Sequence, residues 1–320
     1  MKFNFQNGPK LALGCEQLGG VDWGKVDIKQ QKAAIRCAWE CGVRIFDTAD
    51  VYGLGRSEKE LSKTLGNDRH DASIITKVGV RWNKEQVHSG RAKTYKDSSA
   101  KYLISSVEGS LERLRLDAIP FYLIHWPDEN TPIEETLETL QKLQDSGKIK
   151  NFGLANFDYC SLDKILDLYK GRIAMQQTSY SLASIEKRRE LKVGADHHLI
   201  NTIYGPLSQG LLTGKYHPKS EFGLDDRRHR LAQFKSEIWG KNLELISRLK
   251  EISKDLNCQI SDIALSWLFK KKYIDVVICG AKSPEQVLQN INSEKIQLTD
   301  EVESRLNRIS ANYEQYKKNI

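Results

Sequence analysis

Several features that would place this chain in a membrane or outside the cell are missing from its 320 residues. No stretch approaches the roughly 20 continuous apolar residues that a membrane-spanning helix needs. The first ten residues, MKFNFQNGPK, contain no apolar core of the kind that a secretion signal carries. We therefore expect a cytoplasmic protein that makes no contact with a membrane.

Paired cysteines are also missing. The chain has 6 cysteines and no CxxC pair, which argues against a disulfide framework and against a structural zinc site. We expect reduced thiols and no bound metal. The cysteines are Cys15, Cys37, Cys41, Cys160, Cys258 and Cys279.

Strong charge asymmetry is missing as well. The net charge of +7 is mild for this length, and no basic run is interleaved with aromatic residues, so nucleic acid is a poor candidate partner. The densest basic cluster is RRHR at residues 227–230, which we expect to be a solvated loop.

Apolar patterning predicts a regular alternation of strands and helices. Eight short apolar segments are predicted as strands, at residues 11–15, 43–46, 73–76, 121–124, 149–154, 173–176, 199–203 and 275–279. Helical spacing predicts helices between and after them, at residues 28–41, 57–65, 98–114, 131–147, 158–169, 186–193, 239–256, 261–269, 283–291 and 299–309. Ser57 is predicted to cap the second helix, and Thr131 to Glu134 a capping box with a proline at the first helical position.

Eight strands alternating with helices over this length favour an α/β fold, a closed (β/α)8 TIM barrel. We expect a single domain over residues 1–320, with an N-terminal hairpin (residues 2–6 and 10–14 around Asn7-Gly8) and a C-terminal helix. A doubly wound open sheet is the alternative. It is weakened because GxGxxG does not follow the first strand.

The most informative stretch is RIFDTADVYGLGRSEKE, residues 44–60. Asp47 follows an apolar strand, and Tyr52 stands five residues later on the loop. By itself this stretch fits a structural turn, in which Asp47 bonds to backbone and Tyr52 packs on the rim. In a barrel, however, all strands end at the same face, where such folds place their chemistry.

Polar residues stand at or just after successive predicted strand ends: Asp47, Tyr52, Lys77, His125, Asn156, Gln177 and Tyr204. A tyrosine is a poor acid at neutral pH unless its pKa is lowered, which a nearby lysine ammonium would do. A carboxylate would hold the lysine, and a histidine could polarise a substrate carbonyl. No residue of this set donates hydride, so the chemistry requires a nicotinamide cofactor.

The sequence resembles the aldo-keto reductase superfamily, in particular its bacterial members that act on aldoses and related sugars. The resemblance covers most of the chain through FDTADVYGLGRSE, ITKVG, FYLIHWPD, KIKNFGLANF, QTSYS, YGPLSQGLLTGKY and CGAKSPEQVLQN, in the family's order. It implies an oxidoreductase that reduces an aldehyde or ketone, with Tyr52 as general acid/base and Asp47, Lys77 and His125 completing the catalytic tetrad.

The resemblance also implies a cofactor site. Asn156 and Gln177 would hold the nicotinamide carboxamide, and Tyr204 would stack on the ring. The remaining cofactor contacts implied are Pro206, Leu207, Gln209, Gly210, Leu211, Gly280, Lys282, Ser283, Gln286 and Asn290. A helix N-terminus beside Lys282 suits the 2′-phosphate, so we expect NADP(H) rather than NAD(H).

Three positions depart from the family pattern. Ala155 replaces a serine whose hydroxyl would contact the carboxamide, Gly205 stands where serine is frequent, and Cys279 stands where proline is common. The lost hydroxyl contact corresponds to about 1 kcal/mol of cofactor affinity. The four tetrad positions match the family.

Residues 78–97 read as a long polar loop that walls the substrate site. Its mixture of aromatic and polar groups suits a sugar or another polyhydroxylated carbonyl, and the short charged tail after Ile309 offers little apolar wall. The candidate substrate contacts are Trp82, His88, Arg91, Tyr95 and Trp126.

Two other functions are compatible with the sequence. One is a regulatory subunit that binds nicotinamide, and the other is a non-redox sugar-modifying enzyme with a bound nicotinamide. An appended interaction segment would distinguish the first, and a cofactor that copurifies without turning over would distinguish the second. The physiological substrate, the favoured direction and the oligomeric state do not follow from the sequence.

Overall fold

The computed structural model describes residues 8–88 and 91–317, except for the side chains of residues 84, 85, 88 and 91. Eight parallel strands close into a barrel, in the order β1-β10-β9-β8-β7-β6-β3-β2. The barrel strands are β1 Leu11–Gly14, β2 Ile45–Asp47, β3 Ser73–Val78, β6 Ile119–Ile124, β7 Ile149–Ala155, β8 Met175–Ser179, β9 Ile200–Tyr204 and β10 Val276–Gly280. The predicted (β/α)8 barrel is confirmed.

Helices follow the strands and cover the outside of the barrel. They are α1 Ile28–Glu40, α2 Arg56–Leu65, α3 Ala100–Leu114, α4 Ile133–Asp145, α5 Tyr159–Leu168, α6 Arg188–Asp196, α7 Trp239–Asp255, α8 Ile260–Phe269, α9 Pro284–Asn292 and α10 Asp300–Lys317. No helix within the described ranges is long and apolar enough to cross a membrane. The predicted hairpin strand at residues 2–6 lies outside the described residues.

Two apolar clusters hold the fold together. Alternate strand residues such as Ile75, Phe121 and Met175 fill the barrel interior. The residues between them point outward against the helices, for example Ile74 and Tyr122. Because both faces of these strands are covered, they are apolar on both sides, as parallel barrel strands generally are. The barrel interior is therefore packed with apolar side chains.

Two predicted helix caps are wrong. α2 begins at Arg56 after Gly55, whose φ of 89° is left-handed. The Ser57 hydroxyl instead accepts a bond from Thr48 Oγ1 at 2.8 Å and donates to the Cys15 carbonyl at 2.7 Å. At α4, Pro132 is the N-cap rather than the first helical residue, and Thr131 Oγ1 donates to Asp128 at 2.7 Å. The Ser57 hydroxyl thus binds a distant carbonyl and the Thr131 hydroxyl a nearby carboxylate, and neither caps its helix.

Two expectations about irregular segments are also wrong. Residues 78–97 are not a loop, because Val80–His88 (β4) and Arg91–Lys96 (β5) form an antiparallel pair above the barrel. The tail after Ile309 continues as α10, and the Tyr313 hydroxyl donates to Asn242 Oδ1 at 2.6 Å. The buried hydroxyl contact extends the helix beyond the point where its apolar pattern fades.

The segment between β9 and α7, residues 205–238, is here called the strap. It contains short 3-10 turns, among them Ser208–Thr213 and Arg227–Arg230. It reaches across to the segment after β1, where Arg227 N donates to the Asp22 carbonyl at 2.9 Å and Gly24 N to the Asp225 carbonyl at 3.3 Å. The strap thus borders the carboxyl end of the barrel.

Candidate active site

A buried ion pair forms the floor of the site. Lys77, at 1% exposure, points its Nζ at both Asp47 carboxylate oxygens and at the Thr48 carbonyl, each at 2.8 Å. Gln177 Nε2 donates to Asp47 Oδ2 at 2.9 Å. Since β2, β3 and β8 end at the same face, three residues distant in sequence meet here. All three ammonium donors of Lys77 have protein acceptors, so the pair is held in one geometry.

Tyr52 lies above this pair on a loop that is fixed by a close backbone crossing. A Cβ on Gly53, whose φ is 59°, would fall 2.2 Å from the Gly19 carbonyl oxygen. Only glycine allows both the left-handed conformation and this approach. The crossing positions the Tyr52 ring centroid 5.3 Å from Lys77 Nζ and 5.8 Å from the His125 ring, in an edge-on arrangement.

The protonation states at this site are set mainly by burial. Burial, and then Glu16 and Asp47, raise the pKa of Tyr52 well above its ordinary value. Burial, and then Lys77 and Arg227, hold the pKa of His125 well below its usual range. The net direction is opposite to the lowering expected from Lys77, because burial is the largest influence on this phenol and the carboxylates of Glu16 and Asp47 add to it. Near neutral pH, Tyr52 is a phenol with a proton to donate and His125 is a neutral imidazole.

Asn156 and Tyr204 continue the same face of the barrel. Asn156 Nδ2 donates to the His125 carbonyl at 2.9 Å, and the Tyr204 hydroxyl donates to Asn156 Oδ1 at 2.8 Å. Asn156 adopts a left-handed φ of 65°, which asparagine tolerates better than most residues. His125 Nδ1 is buried without a hydrogen-bond partner in the described structure. This end of the barrel therefore has amide groups with fixed hydrogen bonds and one buried polar atom, His125 Nδ1, that can still form a hydrogen bond.

These groups open into a cavity of about 870 Å³. Its volume is large enough for a cofactor together with a small substrate. Most of the predicted cofactor contacts line it: Asn156, Gln177, Tyr204, Pro206, Leu207, Gln209, Gly210, Gly280, Lys282, Gln286 and Asn290. Leu211 and Ser283 do not belong to this lining, and Leu211 is packed into the outer core instead.

Positive charge gathers at the α9 end of the cavity. Burial, and then the nearby Arg228 and Lys215, lower the pKa of Lys282. Arg228 already pairs with Asp226, whereas Lys215 lies over the Tyr216 ring at 5.0 Å. A lysine whose pKa is lowered by neighbouring cations gains by binding an anion, so the donor set fits a phosphate group.

The start of α9 is ordered by its own side chains. Gln286 Oε1 accepts a bond from Lys282 N at 2.8 Å, and Asn290 Nδ2 lies 3.3 Å from Cys279 Sγ. Cys279 is buried, which raises the pKa of its thiol to about 12 and keeps it protonated. The cysteine that replaces a frequent proline thus packs against Asn290. Gly205 has a φ of 66°, a conformation that suits glycine better than the serine frequent in the family.

The predicted substrate contacts are only partly found in the cavity. Trp126 lines it. Trp82 and Tyr95 do not, and Tyr95 is 47% exposed with Arg81 stacked over its ring at 5.7 Å. Alternate side chains of an antiparallel pair face opposite sides: Tyr95 lies opposite Arg81, on the face turned away from Val80 and Thr94, whereas Trp82 lies opposite Thr94 and shares its face. Val80, Ala92 and Thr94 face the cavity instead, while the side chains of His88 and Arg91 lie outside the described part of the structure.

Several lining residues were not predicted, among them Glu16, Trp23, Lys215, Arg227 and Arg228. Glu16 could have been found, since it stands two residues beyond β1 and the rule of strand ends applies to it. Arg227 and Arg228 belong to the basic cluster that was expected to be solvated. That expectation is wrong for Arg228, which is 8% exposed and bound to Asp226.

Comparison with known proteins agrees with the fold. The model of the Aldo/keto reductase family matches residues 10–311. An aldo-keto reductase of Bacillus subtilis is 31% identical over 284 residues, which cover 87% of this chain and 82% of that relative. An Escherichia coli protein named NADH-specific methylglyoxal reductase is 30% identical and covers 91% of each chain.

Among solved structures, the glycerol dehydrogenase of Gluconobacter oxydans superposes with a TM-score of 0.84 and 30% sequence identity. The match covers 95% of this chain and 92% of that structure. The chain therefore belongs to the aldo/keto reductase family. It is an NAD(P)-dependent oxidoreductase that acts on carbonyl groups of small molecules.

Proposed function

We propose that the protein is an NADPH-dependent reductase of small, hydroxylated aldehydes or ketones, with Tyr52 as the general acid. The observation that carries this proposal is the arrangement of a protonated Tyr52 phenol between the His125 ring and the buried Lys77–Asp47 pair. Such a constellation supplies a proton and a polarising contact to a carbonyl oxygen.

A reduced nicotinamide held by the residues named below would supply the hydride for this reaction when bound. The carbonyl oxygen faces Tyr52 and His125. The neutral imidazole of His125 donates a hydrogen bond that polarises the carbonyl, and Tyr52 transfers its phenolic proton to the oxygen as negative charge develops there. The Lys77 ammonium, fixed by Asp47, stabilises the phenolate that remains. The product is an alcohol, and solvent returns the proton to Tyr52.

Asn156, Gln177 and Tyr204 would hold the nicotinamide end of the cofactor, with Lys282 and Lys215 at its phosphate end. The relatives do not agree on the cofactor: one is named NADH-specific and another is named for NADP(+). The charge in this chain favours NADPH. Lys282 is already crowded by Lys215 and Arg228, and an additional phosphate would relieve that repulsion.

The test is a steady-state assay with NADPH and NADH against simple aldehydes, aldoses and keto-sugars. We expect turnover with NADPH preferred. Lys282→Met should raise the Kd of NADPH by about 10- to 100-fold and leave that of NADH nearly unchanged, since a lost charge-assisted contact costs roughly 1.5–3 kcal/mol. Lys250→Met, at an exposed residue of α7, is the matched control.

Equal loss of affinity for both cofactors would contradict the placement of the 2′-phosphate at Lys282. Binding of NADPH without turnover of any carbonyl would contradict the reductase proposal and favour a regulatory role.

A further inference from the structure

The cavity that contains Tyr52 has a second ion pair in its wall, formed by Glu16 and Arg227. Arg227 Nη2 lies 2.8 Å from Glu16 Oε1, and Nη1 donates to Oε2 at 3.1 Å. The side chains of Arg227 and Glu16 are 29% and 26% exposed, so the ion pair is partly buried and partly accessible. Neither residue is required by the proton transfer proposed above.

The pair is held firmly where it stands. Arg227 N donates to the Asp22 carbonyl at 2.9 Å, and the guanidinium lies 5.4 Å from the centroid of the Trp23 ring. Glu16 belongs to the short 3-10 turn Glu16–Gly19, directly after β1. Two segments more than 200 residues apart are thereby joined at the cavity wall.

The pair is also close enough to the reacting groups for its charges to act on them. Glu16 raises the pKa of Tyr52, and Arg227 acts on it in the opposite direction. Arg227 contributes to the low pKa of His125 as well. A substrate whose carbonyl lies between Tyr52 and His125 would extend its neighbouring atoms into this region.

The charge balance of this wall favours a neutral substrate. Arg227 is neutralised by Glu16, Arg230 by Asp22 and Arg228 by Asp226. An anionic substrate would meet the Glu16 carboxylate and would have to displace it from Arg227. Hydroxyl groups face no such cost, since each can donate to the carboxylate and accept from the guanidinium. The pair keeps unused lone pairs and N–H groups for this purpose.

We propose that Glu16 and Arg227 together recognise the hydroxyl groups next to the reacting carbonyl, and so select polyhydroxylated neutral aldehydes or ketones over plain ones. This inference rests on the proposed reductase function and assigns its specificity to a pair of residues outside the tetrad. The bidentate geometry suits two adjacent hydroxyls, one bonded to each partner.

The test compares D- or L-glyceraldehyde with propanal, which has the same carbon chain and no hydroxyls, using NADPH. For the wild type we expect kcat/KM to favour glyceraldehyde. In Glu16→Gln and in Arg227→Gln, that preference should fall by about 10- to 100-fold, because a site built to bond hydroxyls loses its advantage when a partner is removed. The value for propanal and the Kd of NADPH should change by less than about threefold, a difference below 1 kcal/mol.

Glyceraldehyde 3-phosphate is a third substrate, for which the direction of the change in kcat/KM is predicted. The wild type should use it less well than glyceraldehyde, and Glu16→Gln should improve its relative kcat/KM because Arg227 is then unpaired. A wild-type preference for the phosphorylated aldehyde would overturn the neutral-substrate assignment.

Arg230→Gln is the matched control, since Arg230 joins the same two segments through Asp22. Arg230→Gln should change kcat/KM for glyceraldehyde and kcat/KM for propanal by the same factor. If the Glu16 and Arg227 variants do likewise, or if they weaken NADPH binding instead, the pair only ties the strap down and the inference is wrong. If the wild type reduces no carbonyl at all, the reductase proposal itself fails, and this result is distinct from a loss of selectivity.

Discussion

Two ion pairs of the same length serve the cavity in different ways. Lys77–Asp47 and Arg227–Glu16 both have nitrogen–oxygen distances of 2.8 Å. The first lies on strand ends with side chains 1% and 7% exposed, and the second joins two connecting segments with side chains 29% and 26% exposed. They differ in burial and in the number of donors that remain unused.

The difference in burial indicates that the two ion pairs have different roles in this barrel. A buried pair with every ammonium donor occupied cannot rearrange for a ligand, so it fixes the electrostatics around Tyr52. A half-buried pair on connecting segments keeps free donors and acceptors and can exchange them for substrate hydroxyls. In the proposed function, the pair that fixes the charge around Tyr52 therefore lies on strand ends, and the pair that would recognise substrate lies on connecting segments that can vary without disturbing the barrel.

The largest effect is expected at the tetrad itself. Tyr52→Phe removes the transferable proton and should lower kcat by about 10²- to 10⁴-fold, the usual contribution of a general acid. The Kd of NADPH, measured by fluorescence titration, should remain near the wild-type value because the phenol is not a proposed cofactor contact. Retention of wild-type turnover would show that Tyr52 is not the proton donor.

The second prediction concerns stability. Lys77→Met leaves the Asp47 carboxylate buried without its cation, and we expect a loss of about 3–5 kcal/mol in the free energy of unfolding. Urea denaturation followed by circular dichroism measures it. Adding Asp47→Asn to this variant should recover part of the loss, since the uncompensated charge is then removed. A cost below about 1 kcal/mol for Lys77→Met would mean that the floor pair is not rigid.

The third prediction concerns pH. Burial, and then Glu58, raise the pKa of Asp50 to about 8, against an ordinary value of 3.8. The folded protein therefore keeps a proton on Asp50 that the unfolded chain has released. The stability from this group is fully present below pH 3.8 and is lost as the pH rises through about 8.

Asp50→Asn should remove this dependence. The difference in unfolding free energy between wild type and variant should change by up to about 1.4 kcal/mol per pH unit inside that window. Parallel urea titrations at several pH values measure the difference, which cancels the other titrating groups. Parallel curves for the two proteins would mean that Asp50 is already ionised at low pH.

The smallest effect is expected at the exposed side of the strap. Arg230 is 53% exposed in its pair with Asp22, and such pairs contribute between 0 and about 1 kcal/mol. Arg230→Gln should therefore shift the urea midpoint only slightly. A loss of unfolding free energy comparable to that of Lys77→Met would mean that the ion pairs of the strap stabilise the fold as much as Lys77–Asp47 does. The contrast drawn between the two kinds of ion pair would then be wrong.

Local sequence patterns were sufficient for the strands and for the residues at their ends. The spacing of apolar residues predicted all eight barrel strands. Asp47, Lys77 and Gln177 were predicted from the ends of three of these predicted strands. Patterns failed where a side chain bonds across the fold. Ser57 looks like a helix cap by its neighbours, yet its hydroxyl binds the Cys15 carbonyl, 42 residues away in sequence.

The hairpin β4–β5 shows a second reason for failure. Its residues are polar because one side faces solvent, so they read as a loop, and its inward residues Val80, Ala92 and Thr94 carry no distinctive signal. The same alternation places Tyr95 opposite Arg81 on the outward face, whereas Trp82 pairs with Thr94 and shares its face. Alternation in a short polar strand identifies two faces without telling which one is turned inward.

The amino-acid sequence by itself determined the barrel, the order of its strands and the polar groups at their carboxyl ends, because periodicity and strand termini are local properties. The protonation of Tyr52 and the pairing of Glu16 with Arg227 were decided only by the tertiary structure. Both depend on burial and on contacts between segments far apart in the chain. An arginine in a basic run is solvated or part of a cavity wall according to what folds against it, and no local pattern encodes that partner.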